Sequence, residues 1–292
     1  MILINLIGGL GNQMFQYAAG RALSLHLDST LRLDVSAFAD YKVHQGFELP
    51  LVFGCQANIA TEQDVARLLG WQSPKIIRQA LARPQFKFMR RKNYIVEPHF
   101  NYWQGIKQVP DHTYLAGYWQ SEKYFQDMAD VIHSDFTFNP KISSPNNEVA
   151  THIKQANAVS LHVRRGDYIK NPKTNATHGL CSLDYYRSAI HYIAGRIDHP
   201  DFFVFSDDMA WVKDNLKIDF PCQYIDHNYG AESYNDMRLM SMCKHHIIAN
   251  SSFSWWGAWL GCEPEKIVIA PRQWFVNSAD TSDLLPESWI AL

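Results

Sequence analysis

The sequence predicts an α/β protein made of two Rossmann-like halves, and three stretches carry that expectation. Residues 2–7 are a nearly continuous apolar run, the pattern of a parallel strand buried on both faces. They lead into Gly8-Gly9-Leu10-Gly11-Asn12-Gln13 and then a helical pattern over 14–26. Val159, Leu161 and Val163 alternate with Ser160 and His162, as in a strand, and run into Arg164-Arg165-Gly166-Asp167. His246-Ile-Ile-Ala249 reads as a further strand that stops at Asn250-Ser251-Ser252 before a helical run over 253–260. Turn formers collect over 138–147 and separate the first stretch from the other two. The expected domains are therefore 1–140 and 148–292, in keeping with about 100–200 residues per domain.

Taken in order, the first helix carries Phe15, Ala18, Ala19, Ala22 and Leu23 on one side. Leu31-Arg-Leu-Asp34 reads as the second strand, and the mixed polarity over 41–58 supports no assignment. Thr61-Glu-Gln-Asp64 has the spacing of a capped helix start leading into 65–69. The basic stretch 76–89 reads as a helix, 93–96 as a short strand, and 100–119 is rich in aromatics. After the linker, a helix is expected over 148–157, a polar loop over 169–181 and a striped helix over 183–193. Phe202-Phe-Val-Phe205 is a buried strand, and Ser206-Asp207-Asp208 suits the cap of a helix running to Leu216. Ser233-Tyr-Asn-Asp236 starts a helix that continues to about Lys244, and Gly261 terminates the one over 253–260. A strand over 266–270 and a terminal helix over 283–292 complete the pattern.

Composition narrows the function classes. Apolar residues make up 47% and charged residues 19%, ordinary for a globular chain with proper cores. A net charge of −2 gives no general field for nucleic acid or membrane, so any anion site has to be local. The 9 tryptophans suit sugar faces or simple core filling. Five cysteines without a CxxC pair argue for a reducing compartment and against a zinc or disulfide framework. The opening MILINLI is too short to span a bilayer and lacks the features of a secretion signal. A cytoplasmic placement, at most peripheral to the inner membrane, is expected, with no stable membrane insertion, no nucleic-acid partner and no metal.

Chemistry concentrates at two strand ends. Arg164 and Arg165 stand where a strand opens into a loop, which is where open α/β sheets bind ligands. A guanidinium presents a rigid fork of donors that matches phosphate oxygens; the alternative is a solvated basic pair. Ser251 and Ser252 lie at a helix start, where N–H groups and the positive dipole end favour an anion; plain helix capping explains them equally well. The glycine loop lacks the glycine or alanine that a dinucleotide fingerprint needs three residues after Gly11, because Met14 stands there. A nicotinamide-dependent oxidoreductase is therefore a poor reading, despite Asp34 downstream.

His162-Val-Arg-Arg-Gly-Asp-Tyr168 resembles the HxRRGDY signature of the α-1,2-fucosyltransferases, glycosyltransferase family 11. GGLGNQMFQYAAG at 8–20, the segment from Tyr114 to Ser121 and NSSFSWWGAWL at 250–260 resemble further family segments, in the family's order. Related His-x-Arg segments occur in α-1,6- and protein O-fucosyltransferases. The resemblance implies a GT-B architecture, two Rossmann-like domains facing a cleft, with the acceptor on the first and GDP-fucose on the second. It implies inverting transfer of L-fucose from GDP-fucose to the 2-hydroxyl of a terminal β-galactoside in an oligosaccharide acceptor, with no further cofactor. By matching positions, Arg164 and Arg165 would hold the pyrophosphate, and Ser251 and Ser252 the β-phosphate. The α-1,6 relatives contact guanine through the motif histidine and an aspartate sixteen residues before the phosphate-binding serine, which maps to His162 and Asp236. The loop asparagine at the cleft maps to Asn12, with Gln13 beside it as a further substrate-binding candidate. Asp167, His178 and Asp34 are the candidates for a general base, and Asp167 ranks first although it is also a natural ion-pair partner for the arginines. A catalytically silent GDP-sugar- or carbohydrate-binding protein is the competing reading.

Overall fold

The computed structural model describes residues 1–39, 45–56, 58–276 and 279–292, and the backbone alone at 167, 170 and 172–174. The chain forms two compact units, Met1–Pro140 with Asp280–Leu284, and Lys141–Ala279 with Leu285–Leu292. The return of Asp280–Leu284 to the first unit has no counterpart in the sequence pattern. It is fixed by Asp283, whose carboxylate accepts from Tyr102 N at 3.1 Å and Lys123 Nζ at 2.6 Å, while Ser121 Oγ donates to its carbonyl at 2.6 Å.

The first unit runs β1 (Ile2–Asn5), α1 (Leu10–His26), β2 (Leu31–Asp34), α2 (Leu49–Val52), α3 (Glu62–Leu69), α4 (Lys75–Leu81), β3 (Tyr94–Val96), β4 (Thr113–Ala116) and α5 (Ala129–Asp135). Its sheet has the order β2-β1-β4-β3 with every pair parallel. Helix α1 starts four residues earlier than its apolar stripe, because Gly9 already stands at its N-cap. The capping box at Thr61 and Asp64 is formed, and Asp64 also pairs with Arg32 at 2.7 Å. The helix expected over 76–89 ends at Leu81. Pro84 cannot donate to the preceding turn, and Arg90 takes over the freed carbonyls of Leu81 and Ala82 at 2.6 and 3.0 Å.

The second unit runs α6 (Ser144–Gln155), β5 (Asn157–Val163), α7 (Gly166–Lys170), α8 (Pro172–His178), α9 (Leu183–Ala194), β6 (Pro200–Ser206), α10 (Met209–Asn215), β7 (Cys222–Ile225), α11 (Tyr234–Met242), β8 (His245–Ile247), α12 (Ser252–Trp259), β9 (Val268–Ala270) and β10 (Ile290–Ala291). Its sheet is β10-β9-β8-β5-β6-β7, again wholly parallel. One face packs Val159, Leu161, Phe202 and Val204 against Tyr186, Ile190 and Ile193 of α9. The other packs Ala158, Phe203 and Phe205 against Val149 and Ile153 of α6 and Leu239 and Met240 of α11. Both faces are covered, so the alternation in β5 is not an inside–outside pattern. Ser160 is buried and bonds His246 Nδ1 at 2.9 Å.

Three expectations fail in this unit. The helix expected from residue 148 begins at Ser144, with Pro145 in its first turn, where a missing N–H is harmless. The polar stretch after Ile169 is helical rather than a loop, as α7 and α8. The terminal helix is replaced by β10, because the open edge of β9 supplies partners: Leu292 N donates to Ala270 O at 3.0 Å and Arg272 N to Leu292 O at 2.8 Å. No helix among the described residues is long and apolar enough to cross a membrane. All five cysteines are free.

Candidate active site

Every strand of the second sheet is parallel, so the carboxyl ends of β5, β6, β7 and β8 share one edge. β5 delivers Arg164 and Arg165 there, and β6 delivers Asp207 and Asp208. Arg164 Nε lies 3.3 Å from Asp207 Oδ2, and Arg165 Nε 3.6 Å from Asp208 Oδ2. The Arg165 backbone N–H donates to Asp207 Oδ1 at 2.8 Å. Burial alone would raise the Asp207 pKa, but the Arg164 guanidinium and the N–H groups of Gly166 and Arg165 hold it below the usual range. Asp207 therefore remains an anion that orients Arg164. Gly166 keeps the turn close to β6, since a Cβ there would stand 3.0 Å from the Asp207 carbonyl oxygen and force a small shift. The guanidinium of Arg165 lies flat on Trp211, 3.5 Å from its ring centroid, which fixes it as a stacked, oriented cation. Asp208 also caps α10, accepting from Trp211 N at 3.4 Å.

β8 is the direct neighbour of β5 and leads to Asn250, Ser251 and α12. Ser251 occupies the N-cap of α12 without a side-chain capping bond. Among the described residues the Ser251 and Ser252 hydroxyls make no hydrogen bond, and they stand beside the first N–H groups of the helix, which have no intrahelical acceptor. Asn250 is the clamp behind them. Its Nδ2 donates to His178 O at 2.8 Å and Trp274 O at 3.2 Å, and its carbonyl accepts from Tyr168 OH at 3.1 Å. The polar stretch carrying His178 is thus anchored, and the His178 ring stacks on Tyr168 at 5.0 Å and meets Phe275 at 5.2 Å. The side chain of Asp167 lies outside the described residues; among the described residues, Asp207 and Asp208 after β6 pair with the arginines.

His162 is buried, and its Nδ1 has no hydrogen-bond partner among the described residues. Burial, reinforced by Arg164, lowers its pKa to about 3, so the imidazole is neutral. Asp236, at the start of α11, has its pKa raised to about 7 by burial, against the opposing pull of the Asn228 amide. Asn228 Nδ2 donates to Asp236 Oδ1 at 2.8 Å. Asn228 and Asn146 exchange amide bonds at 2.8 and 2.9 Å, and His227 Nε2 lies 2.9 Å from Asn146 Oδ1. A chain of buried amides from α6 thereby aims a desolvated carboxyl.

In the first unit the glycine loop has a different job for each residue. Gly8 has φ +82°, and a Cβ on it would stand 2.5 Å from Asn12 Nδ2. Asn12 is partly exposed, with Oδ1 accepting from Gln120 Nε2 at 2.7 Å. Gln13 is fully buried and donates to Gly8 O and Gly46 O at 3.0 and 2.7 Å, while accepting from Glu48 N at 3.0 Å. Its amide group holds the loops at Gly8, Gly46 and Glu48 together. Asp34 is likewise engaged: Arg78 pairs with it at 3.0 Å, Tyr114 OH donates to it, and Ser36 N caps it at 2.9 Å.

The model of glycosyl transferase family 11 matches residues 78–292. The chain belongs to glycosyltransferase family 11. An α-1,2-colitosyltransferase of Escherichia coli is 35% identical over 100% of this chain and 99% of that protein. The O-antigen biosynthesis glycosyltransferase WbnK of Escherichia coli is 36% identical over 98% and 99%. The galactoside 2-α-L-fucosyltransferase SEC1 of Bos taurus is 24% identical over 88% of this chain and 63% of that protein. Among solved structures, NodZ α-1,6-fucosyltransferase co-crystallised with GDP superposes with a TM-score of 0.56 at 16% identity, covering 92% of this chain and 94% of that one. That likeness shows the fold, an α/β architecture of the GT-B type.

Within this family 11 chain, sequence reasoning missed the residues that aim the candidate ligand groups. The sequence pattern places Asp207 in a helix cap, although a carboxylate at the end of the neighbouring strand is a natural partner for a strand-end arginine. Asn146 fell inside the turn-rich linker, and Asn228 in a stretch with no pattern; no sequence signal marks an amide pair that forms across 82 positions.

Proposed function

We propose that this family 11 glycosyltransferase transfers L-fucose from GDP-fucose to the 2-hydroxyl of a terminal β-galactoside, inverting the anomeric centre and using no cofactor. The observation that carries the reading is the pairing of two oriented arginines with two open serine hydroxyls at the ends of adjacent strands β5 and β8. Fixed cationic forks and helix-start donors on one edge suit a diphosphate, the leaving group of such a transfer. Arg164 and Arg165 neutralise the charge that develops on GDP, and Ser251 and Ser252 donate to its β-phosphate. His162, neutral with a buried, unpaired Nδ1, and Asp236 are the guanine-contact candidates, and the N–H donors of guanine match a desolvated carboxylate. Asn12, held by Gln120, stands on the acceptor side.

A single displacement through an oxocarbenium-like state needs leaving-group stabilisation and one group to take the acceptor proton. Asp167 is our first choice for that base and His178 the second. Measuring donor affinity and turnover separately in Asp167→Asn decides its role. Turnover lost by orders of magnitude at unchanged affinity marks a base; lost affinity with residual turnover marks a residue that orients the arginines.

A second donor is favoured by a specific observation, the full-length likeness to a colitosyltransferase. Both readings use the same diphosphate site and differ only in the sugar. GDP release with a GDP-fucose and a GDP-colitose donor, each with a panel of galactosides, separates them. Preference for fucose supports the proposal, and preference for colitose replaces its donor. GDP release with neither donor leaves the binding-protein reading.

A further inference from the structure

The formal charge of the chain is close to neutral, but it is not evenly spread. Between Asp64 and Glu97 the sequence contains no acidic residue and eight basic ones, in a chain whose net charge is −2. Lys75, Arg78, Arg90 and Arg91 make structural bonds within this stretch, to Ser36, Ser73, the C-terminal carbonyls of α4 and Leu69 O. Arg67, Arg83, Lys87, Arg91 and Lys92 are exposed.

Large apolar side chains are interleaved with these cations and point outward. Phe88 is 84% exposed, Ile76 80%, Trp71 58% and Met89 44%. Their neighbours Ile77 and Phe86 face the other way and pack on the core of Leu68, Leu69, Leu81 and Tyr94. The surface is built, not loose. Gln72 Nε2 donates to Met89 O at 2.7 Å and Gln72 Oε1 accepts from Arg91 N at 3.1 Å, which joins the Trp71 segment to the Phe88–Arg91 segment. Asn93 Nδ2 fixes the far end to Leu68 O at 2.9 Å.

We propose that this face of the first unit is a docking surface for an anionic phospholipid bilayer. Arginine and lysine attract acidic headgroups, and each is worth about a fivefold factor in affinity near such a surface. Phenylalanine, isoleucine and tryptophan beside them enter the interfacial zone, where an indole ring is at home. A nucleic acid would use the cations but leaves the outward Phe88 and Ile76 unexplained, and the absence of acidic residues in the stretch gives a protein partner no mixed-charge pattern to read. The proposal does not depend on which sugar the enzyme transfers.

The test is flotation of the full chain with vesicles of phosphatidylcholine alone and with about 30% phosphatidylglycerol. Binding to the anionic vesicles only, weakened by high salt, is expected. Phe88→Ser with Ile76→Ser should lower it by about tenfold or more, and Arg83→Glu with Lys87→Glu, Arg91→Glu and Lys92→Glu by more than about a hundredfold. Transfer to a soluble acceptor should stay within about twofold of wild type in both, which also verifies folding. No flotation of the wild type, equal flotation with neutral vesicles, or undiminished binding by either folded variant would overturn the proposal. Retained affinity of the serine variant alone would show a general polyanion patch instead.

Discussion

At the scale of single residues, the site combines two oriented cations with one desolvated carboxyl. Arg164 is oriented by Asp207, so Arg164→Lys should leave the melting temperature nearly unchanged. A point charge in place of the fork should lower turnover by about 10²–10³, the range seen for losing one transition-state donor. Steady-state kinetics on the folded variant checks this, and near wild-type turnover would remove Arg164 from the leaving-group role. Asp236 titrates at about 7 because burial disfavours its charged form. Its folded pKa lies above its unfolded value, so the native state holds the extra proton between about pH 4 and 7, and stability falls as pH rises through that window. The shift corresponds to about 4 kcal/mol at most. Guanine donors would stabilise the anion, so GDP affinity should rise with pH up to about 7 and level off above it, with proton release on binding. Calorimetry of GDP binding from pH 5.5 to 8 reads both effects. In Asp236→Asn the pH slope should vanish and the ligand-free protein should be more stable at pH 8 than wild type. A flat wild-type profile would mean that Asp236 does not meet the base.

At the scale of elements, the Asn250 side chain ties the start of α12 to the α7–α8 segment. Asn250→Ala would leave the carbonyls of His178 and Trp274 without their donor, and each buried orphan costs about 1–3 kcal/mol. The variant should lose about 2–4 kcal/mol in urea unfolding, with faster hydrogen exchange confined at first to residues 166–179. Uniform exchange across the unit would contradict the clamp. This scale also shows what the sequence could disclose. Continuous apolar runs made β1 and β6 legible, and the glycine loop and the strand-end arginines marked the edges where function would sit. Cys222–Ile225 escaped because its four residues mix Cys, Gln, Tyr and Ile, and only pairing with β6 makes it a strand. β10 escaped for the same reason, being two residues whose partner lies at Ile269 and Ala270. α7 and α8 carry no apolar stripe in the sequence; among their described residues, Tyr168 stacks on His178 and Asn250 holds the His178 carbonyl. The amide chain through Asn146 and Asn228 was illegible because hydrogen bonds between distant polar residues leave no periodicity.

At the scale of the whole molecule, membership of family 11 and a fold shared with NodZ frame a glycosyltransferase whose candidate donor-binding groups lie on the edge of one sheet. Asp207 and Asp208 are engaged with arginines and a helix cap, and under the proposed function leaving-group charge falls to Arg164, Arg165 and the start of α12. Activity should therefore survive EDTA with less than about twofold loss. Abolition by chelator and recovery with Mg²⁺ or Mn²⁺ would move both aspartates into the site as ligands. The central claim is tested most directly by proton NMR of the product formed from GDP-fucose and a terminal β-galactoside. The account predicts stoichiometric GDP and a new α-anomeric fucosyl signal, with the galactose H-2 shifted by glycosylation at O-2. A β-linked product, attachment at another hydroxyl, or no transfer from any GDP-sugar by the folded protein would contradict it.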